Sequence, residues 1–290
     1  MLNFFKKLFS PITATLNFIQ NYFKALSFII ILLILFSPGG TQSVQAPNLA
    51  SVHLTGPIID ANKIVKTLDK LGDDKKIKGV LLVVNSPGGA VAPSVEIALA
   101  IKRLKEKKPV VAYAAGTMAS GSYYASIWAN RIVANPAATI GSIGVIMEGM
   151  NLHGLLDKVG VQPQVVKAGA YKEAGTPFRE WTEQERKAIQ THVFDIYQMF
   201  VNDVAKARHL DPNDYKKFAD AQIFIAYKAK EVGLIDEIGS IKEAKTLLKE
   251  LSGVQEARWK EKSKWEQYIE SFAQESTKTL VNQLKGWVIY

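Results

Sequence analysis

GVLLVVNSPGG, residues 79–89, joins an unbroken apolar run to a tight turn. From Gly79 to Val84 there is no polar side chain. Such a run suits a strand covered on both faces, as a parallel sheet requires. Upstream, Ser51–Leu54 is a short strand candidate closed by Gly56 and Pro57, and Ala61–Leu71 carries Ile64, Val65, Leu68 and Leu71 at helical spacing. Downstream, Ser94–Lys105 is amphipathic through Val95, Ile97, Ala98, Ile101 and Leu104, and Val110–Ala114 is the next buried strand. A helix is predicted over Gly121–Ala129 and strands over Arg131–Ala134, Ile143–Met147 and Gln164–Lys167. Thr182 and Glu185 fit a capping box. The helix they open would bury Ile189, Val193, Ile196, Phe200 and Val204. Strands alternating with helices argue an α/β domain.

The ends of the chain read differently. Residues 25–36, ALSFIIILLILF, are almost wholly apolar, and no Asp, Glu, Lys or Arg occurs from Ala25 to Ile59. A spanning helix needs about 20 residues. Residues 25–46 supply that length, with Lys6, Lys7 and Lys24 before them favouring a cytoplasmic N-terminus. The expectation is a basic segment over 1–24, a transmembrane signal anchor and linker over 25–46, and a catalytic domain over 47–253 on the far side of the membrane. A cleaved signal peptide is the alternative, since Val44-Gln45-Ala46 resembles a small-residue cleavage site. Residues 254–290 are charged, with Trp259, Trp265, Tyr268, Phe272 and Trp287 interspersed, and are expected to form a helical tail.

Composition removes several chemistries. The chain has 290 residues, a formal charge of +9 and no cysteine. Thiolate nucleophiles, disulfides and cysteine-held metals are excluded. Its four histidines are scattered, so no HExxH zinc helix exists. No basic stripe with interleaved aromatics marks a nucleic-acid surface. Hydrolysis would have to come from Ser, Thr, Lys, Asp or Glu, and neither metal nor cofactor is expected.

Gly-rich turns follow the buried strands. Pro87-Gly88-Gly89 exposes backbone N–H groups, although an ordinary strand–helix turn reads the same way. Ser120 lies in TMASGSYY (117–124) where a strand meets a helix. There the Gly121 N–H could face a developing oxyanion, with a second donor from the Gly88-Gly89 turn. A plain helix cap is the other reading. A further turn, TIGSIGV (139–145), holds Ser142. A serine needs a base, and no histidine stands in an informative context. Lysine can serve when desolvation keeps its amine neutral. Lys172, in KAGAYKEAGTPFR (167–179), lies among small residues rather than in a Lys-rich surface run.

Together these segments resemble the bacterial signal peptide peptidase A family, in its short membrane-anchored form, within the Clp-protease/crotonase fold group. The resemblance covers about residues 49–253. It rests on NSPGG (85–89), MASGSYY (118–124), IVANPAATIGSIGVIME (132–148), YKEAGTPFREWTEQER (171–186) and AKEVGLIDEIGS (229–240) in that order. It implies a spiral of β-β-α units and makes Ser120 the nucleophile and Lys172 the general base. Ser142 becomes the serine that orients the lysine amine, and Gly89 and Gly121 the oxyanion-hole donors. It also implies a homo-oligomer whose active sites are shared between adjacent protomers. The substrates would be remnant signal peptides and other apolar peptides at the extracytoplasmic face of the bacterial inner membrane. Two departures stand out. Ser122 occupies a position where the family usually has a second Gly, and Ile140 stands where Thr often precedes Gly-Ser. The competing readings are a broad envelope quality-control protease, an inactive oligomeric scaffold and a crotonase-like acyl-CoA enzyme.

Overall fold

The computed structural model describes residues 17–32 and 46–260. They fall in two units, Met1–Gln45 and Ala46–Tyr290. In the first, residues 17–32 form a helix, α1, whose Phe18, Phe23 and Phe28–Ile31 are exposed. No described helix is long and apolar enough to cross a membrane. Most of the span expected over 25–46 continues into residues 33–45, outside the described residues.

The second unit runs β1 (Leu49–Thr55), α2 (Asn62–Asp73), β2 (Gly79–Ser86), α3 (Val91–Lys107), β3 (Val110–Ala119), α4 (Gly121–Ser126), β4 (Arg131–Ala134) and β5 (Thr139–Gly141). Then come α5 (His153–Val159), α6 (Glu183–Arg208), a 3-10 turn (Pro212–Asp214) and α7 (Tyr215–Phe218). The domain closes with β6 (Ile223–Ile225), α8 (Ala226–Glu231), β7 (Glu237–Ile238), α9 (Ile241–Leu251) and β8 (Trp259–Lys260). The strands lie in the order β6-β5-β3-β2-β1-β8, with β4 beside β3 and β7 beside β4. All pairings are parallel except β5 with β6.

The apolar run of β2 is buried from Gly79 to Val84 because both sheet faces are covered. Leu82 and Val84 pack with Ile97 and Ile101 of α3 and Leu68 of α2. Leu81 and Val83 point the other way, among Val111, Tyr113 and Leu248 of α9. This is the two-residue period of a strand applied to a sheet with two cores. Each such side chain contributes about 1.5–3 kcal/mol by leaving water.

β3 extends past the expected Ala114. Its first half pairs with β4 through Val111–Ala114, and its end pairs with β5 through Thr117–Ala119. A second neighbour carries the strand through Ala115-Gly116-Thr117, which lack the bulk to announce it.

Two expected strands are absent. Residues 143–147 and 164–167 pair with no strand. β5 ends where Ser142 takes a left-handed φ of 52°. From there the chain leaves the sheet, and β-branched residues without a partner strand form no ladder. None of residues 144–184 is buried. These residues form an arm that returns to the domain through α6. The capping box of Thr182 and Glu185 is present. The buried apolar residues of α6 all lie in its C-terminal part, at Phe200, Val201, Val204 and Ala205, while Ile189, Val193 and Ile196 are half-buried. The expected helical tail also differs at its start. Residues 254–258 are not helical, and Trp259–Lys260 add a parallel strand to β1, with Trp259 packed on the α9 side of the sheet. The tail beyond Lys260 lies outside the described residues.

Candidate active site

Ser120 stands between the last residue of β3 and the first of α4. Its backbone is strained, with φ 53° and ψ −127°, a region that costs a non-glycine residue about 1–3 kcal/mol. Neighbours hold it there. The Ser120 N–H donates to Gly141 O at 2.8 Å, and Ser120 O accepts from the Tyr124 N–H at 3.0 Å. The side chain is half-buried.

The Pro-Gly-Gly turn lies directly against this elbow. A Cβ on Gly88 would fall 2.8 Å from Ser120 Cβ and 2.6 Å from the Gly121 nitrogen. With φ at +95° as well, Gly88 is glycine for both space and conformation. Gly89 is pinned by Ile58: the Ile58 N–H donates to Gly88 O at 2.8 Å, and the Ala90 N–H donates to Ile58 O at 2.7 Å. A Cβ on Gly121 would sit 3.3 Å from the Gly89 nitrogen, which places both N–H groups beside Ser120. Among the described residues neither N–H donates to a protein group. Two unpaired donors flanking a hydroxyl are the parts of an oxyanion hole.

Ser142 lies one strand away. Ala119 pairs with Gly141, so each serine follows a paired residue on adjacent parallel strands. The Ser142 N–H donates to Gln222 O at 2.6 Å, and the residue is half-buried. The structure therefore brings Ser120, Ser142, Gly89 and Gly121 together.

Lys172 shares no bond with this group. It lies on the arm, exposed, with its N–H donating to Gly169 O at 3.2 Å. No hydrogen bond or ion pair joins its side chain to Ser120 or Ser142. The loop that carries it is nevertheless tied down. Arg179 forks onto Glu185 at 2.9 and 2.8 Å and reaches Glu173, the neighbour of Lys172, at 2.8 Å. Lys167 meets the same Glu173 oxygen at 2.7 Å. Trp181 Nε1 donates to Thr176 O at 2.8 Å, and Gln184 donates to the Tyr171 hydroxyl at 2.9 Å. Arg179, and then the Thr182 N–H, hold the Glu185 carboxyl down at about 2. Lys167, and then Arg179, lower that of Glu173. The sequence reading found Thr182 and Glu185 as a cap only. It missed that Glu185 also receives Arg179, because a capping box gives no sign of a second partner.

A further anchor escaped the sequence as well. The Tyr124 hydroxyl donates to Asp203 of α6, and burial followed by that carboxylate raises its pKa. This bond ties the helix behind Ser120 to the helix that ends the arm. Among the described residues no group of acidic or histidine side chains could hold a metal.

A strained serine at a strand–helix elbow, with two free backbone donors beside it and parallel strands beneath, fits the site of a serine hydrolase of α/β architecture. The chain belongs to peptidase family S49, whose model matches residues 102–255. The Clp protease family model matches residues 48–140, the part holding β1 to β3 and Ser120. A protein of Methanocaldococcus jannaschii, provisionally named a protease, is 44% identical over 67% of this chain and 63% of its own. A provisionally named signal peptide peptidase of Enterococcus faecium is 44% identical over 63% of this chain and 53% of its own. A Synechocystis protein provisionally named a protease is 38% identical over 71% of this chain and 75% of its own. The chain thus matches only about half to three quarters of the length of these relatives. A solved Clp protease subunit of Listeria monocytogenes superposes with a TM-score of 0.48 at 17% identity, over 67% of this chain and 93% of its own. A likeness of that size adds nothing to the family match.

Proposed function

We propose that this protein is a membrane-anchored serine endopeptidase that cuts apolar peptides, remnant signal peptides among them, with Ser120 as nucleophile and Lys172 as general base. The observation that carries the peptidase reading is the pair of unpaired N–H groups, Gly89 and Gly121, beside the strained Ser120. The neutral Lys172 amine takes the Ser120 proton as Oγ attacks the scissile carbonyl. The carbonyl oxygen becomes an oxyanion held by the two N–H groups. The charged amine then protonates the leaving nitrogen, and water hydrolyses the acyl-enzyme by the same steps in reverse. Ser142 orients the amine.

The lysine comes from a neighbouring copy. Lys172 has no link to Ser120 within its own chain, and its arm exposes Ile146, Met150, Leu155, Val159, Val165, Val166 and Tyr171. An apolar surface of this kind marks an interface. Packing a second copy over it would strip water from the amine, which is the condition a lysine base requires. The anchor is residues 25–46, with the catalytic unit on the extracytoplasmic side of a bacterial inner membrane. Its support is the uncharged run from Ala25 to Ile59 and the basic flank before it. The signal-peptide substrate is supported by the name of the Enterococcus relative and by an anchor that keeps the enzyme among apolar peptides.

The test is a fluorophosphonate probe applied to the detergent-solubilised protein and to Ser120→Ala and Lys172→Ala. Labelling of the wild type alone supports the pair. Equal labelling of Ser120→Ala removes Ser120 from the site. No labelling of a folded oligomer turns the reading to a scaffold.

A further inference from the structure

The ladder between β2 and β3 breaks beside the active site. β3 advances from Ala114 to Met118 while β2 advances only from Val84 to Ser86. At the end of this irregular stretch Ser86 pairs with Met118, and beside that pair sits the Ser122 hydroxyl. It accepts from the Ala119 N–H at 2.9 Å and lies 2.6 Å from Ser86 O. Ala119 O is a second acceptor at 2.9 Å, but one hydroxyl hydrogen serves one acceptor at a time, and Ser86 O is the nearer. Ser122 and Ser86 are both fully buried.

The rest of the connection leads into the oxyanion hole. The Ser86 hydroxyl accepts from the Gly88 N–H at 3.2 Å. Gly88 precedes Gly89, one proposed donor. Ala119 precedes Ser120 and Gly121, the nucleophile and the other donor. Serines in these helices otherwise bond back along their own helix, as Ser94 does to Ala90 O at 2.8 Å and Ser126 to Ser122 O at 2.8 Å. Ser122 instead reaches across to another strand.

We propose that Ser122 is a positioning residue for the oxyanion hole, its buried hydroxyl setting the distance between the Ser120–Gly121 elbow and the Gly88–Gly89 turn. This inference rests on the reading of Ser120, Gly89 and Gly121 given above. An alanine there keeps the Cβ and takes the Ser122 hydroxyl away from a buried N–H and C=O, leaving a gap smaller than a water. A glycine leaves room for a water, which can make the same two bonds. Donors displaced from the oxyanion act on the transition state more than on substrate binding, so kcat falls and KM holds.

The experiment measures turnover of a quenched-fluorescent peptide with an apolar core by the full-length protein in detergent. Ser122→Ala is expected to lose about tenfold in kcat with KM within about twofold, the behaviour of an interaction made in the transition state. Ser122→Gly is expected to keep more activity than Ser122→Ala. Helix propensity predicts the opposite stability order, since Gly is a poorer helix former than Ala. A purely structural serine would therefore rank the two variants by melting temperature, with Ala the better. That ranking in kcat, or wild-type kcat in Ser122→Ala, overturns the proposal. If Ser122→Ala does not fold, Ser122→Cys, which keeps the shape but bonds weakly, decides alone: a fall in kcat at constant KM supports the role, and wild-type kcat refutes it. Fluorophosphonate labelling of Ser120→Ala at the wild-type level would overturn the underlying site instead, whatever the Ser122 variants do.

Discussion

Ser120 and Ser142 leave adjacent parallel strands one residue beyond the paired Ala119 and Gly141, both with positive φ, 53° and 52°. The two kinks aim neighbouring chain segments off the same end of the sheet. Strain of this kind persists where surrounding bonds enforce it. Replacing Ser142 by glycine should relieve it and leave the melting temperature unchanged or higher, by up to about 1 kcal/mol of stability. Activity should nevertheless fall at least tenfold, because the proposed orienting hydroxyl is gone. Thermal melts and turnover measured on the same preparation check this. Full activity in Ser142→Gly would remove Ser142 from the mechanism.

If nucleophile and base come from different protomers, two dead variants can repair each other. Ser120→Ala and Lys172→Ala should each fall by roughly 10⁴–10⁶-fold in kcat, as catalytic pairs do. Mixing them under conditions of subunit exchange should restore part of the activity at sites combining the intact Ser120 of one chain with the intact Lys172 of the other. A mixture as inactive as its parts, with exchange verified by mass, means that both residues act within one chain.

The Gly89 turn admits no side chain. A Cβ there would sit 2.1 Å from Ile58 O, a backbone atom that cannot swing away. Gly89→Ala should cost about 3 kcal/mol or more, at the upper end of overpacking effects, and should abolish fluorophosphonate labelling. Urea unfolding and labelling report on the two losses. A variant with wild-type stability would mean that the turn yields more easily than its bonds to Ile58 imply.

The tie between Glu185 and Arg179 has a pH signature. The Glu185 carboxyl falls from an ordinary 4.5 to about 2 in the fold, chiefly through Arg179. A carboxylate lowered in this way stabilises the fold above its unfolded pKa, and the contribution is lost as pH falls through the folded value. Glu185→Gln keeps a side chain able to reach the Thr182 N–H but removes the charge. Its melting temperature should lie below wild type above about pH 4.5, and the gap should close as pH approaches 2. A gap that does not change with pH would show that charge is irrelevant to this contact.

The sequence announced the sheet better than it announced the arm. GVLLVV and Val110–Ala114 were legible because strands buried on both faces must be continuously apolar, and Arg131–Ala134 was placed with its observed bounds. The turns holding Gly88-Gly89, Ser120-Gly121 and Ser142 were visible as glycines and serines at strand ends, whereas the roles of Ser142 and Gly89 came from the family resemblance alone. The predicted strands over 143–147 and 164–167 failed because no strand lies beside them to complete a ladder, and Val166 and Ile146 are exposed. The Ser122 bridge was invisible for a different reason. Its partners, Ser86 O and the Ala119 N–H, are backbone groups brought together by an irregular register, and backbone groups leave no mark in a sequence.

The forked pairing of β3 divides the molecule by durability. Its strand carries Ser120 between neighbours on both edges, over two fully packed cores, whereas no residue from 144 to 184 is buried. Regions poor in buried contacts open first on heating. Warming should therefore silence the enzyme through its arm while the sheet is still intact, and cooling should bring it back. The expected outcome is a loss of activity that reverses on cooling, some degrees below the temperature at which the chain unfolds, read by turnover and circular dichroism over one temperature ramp.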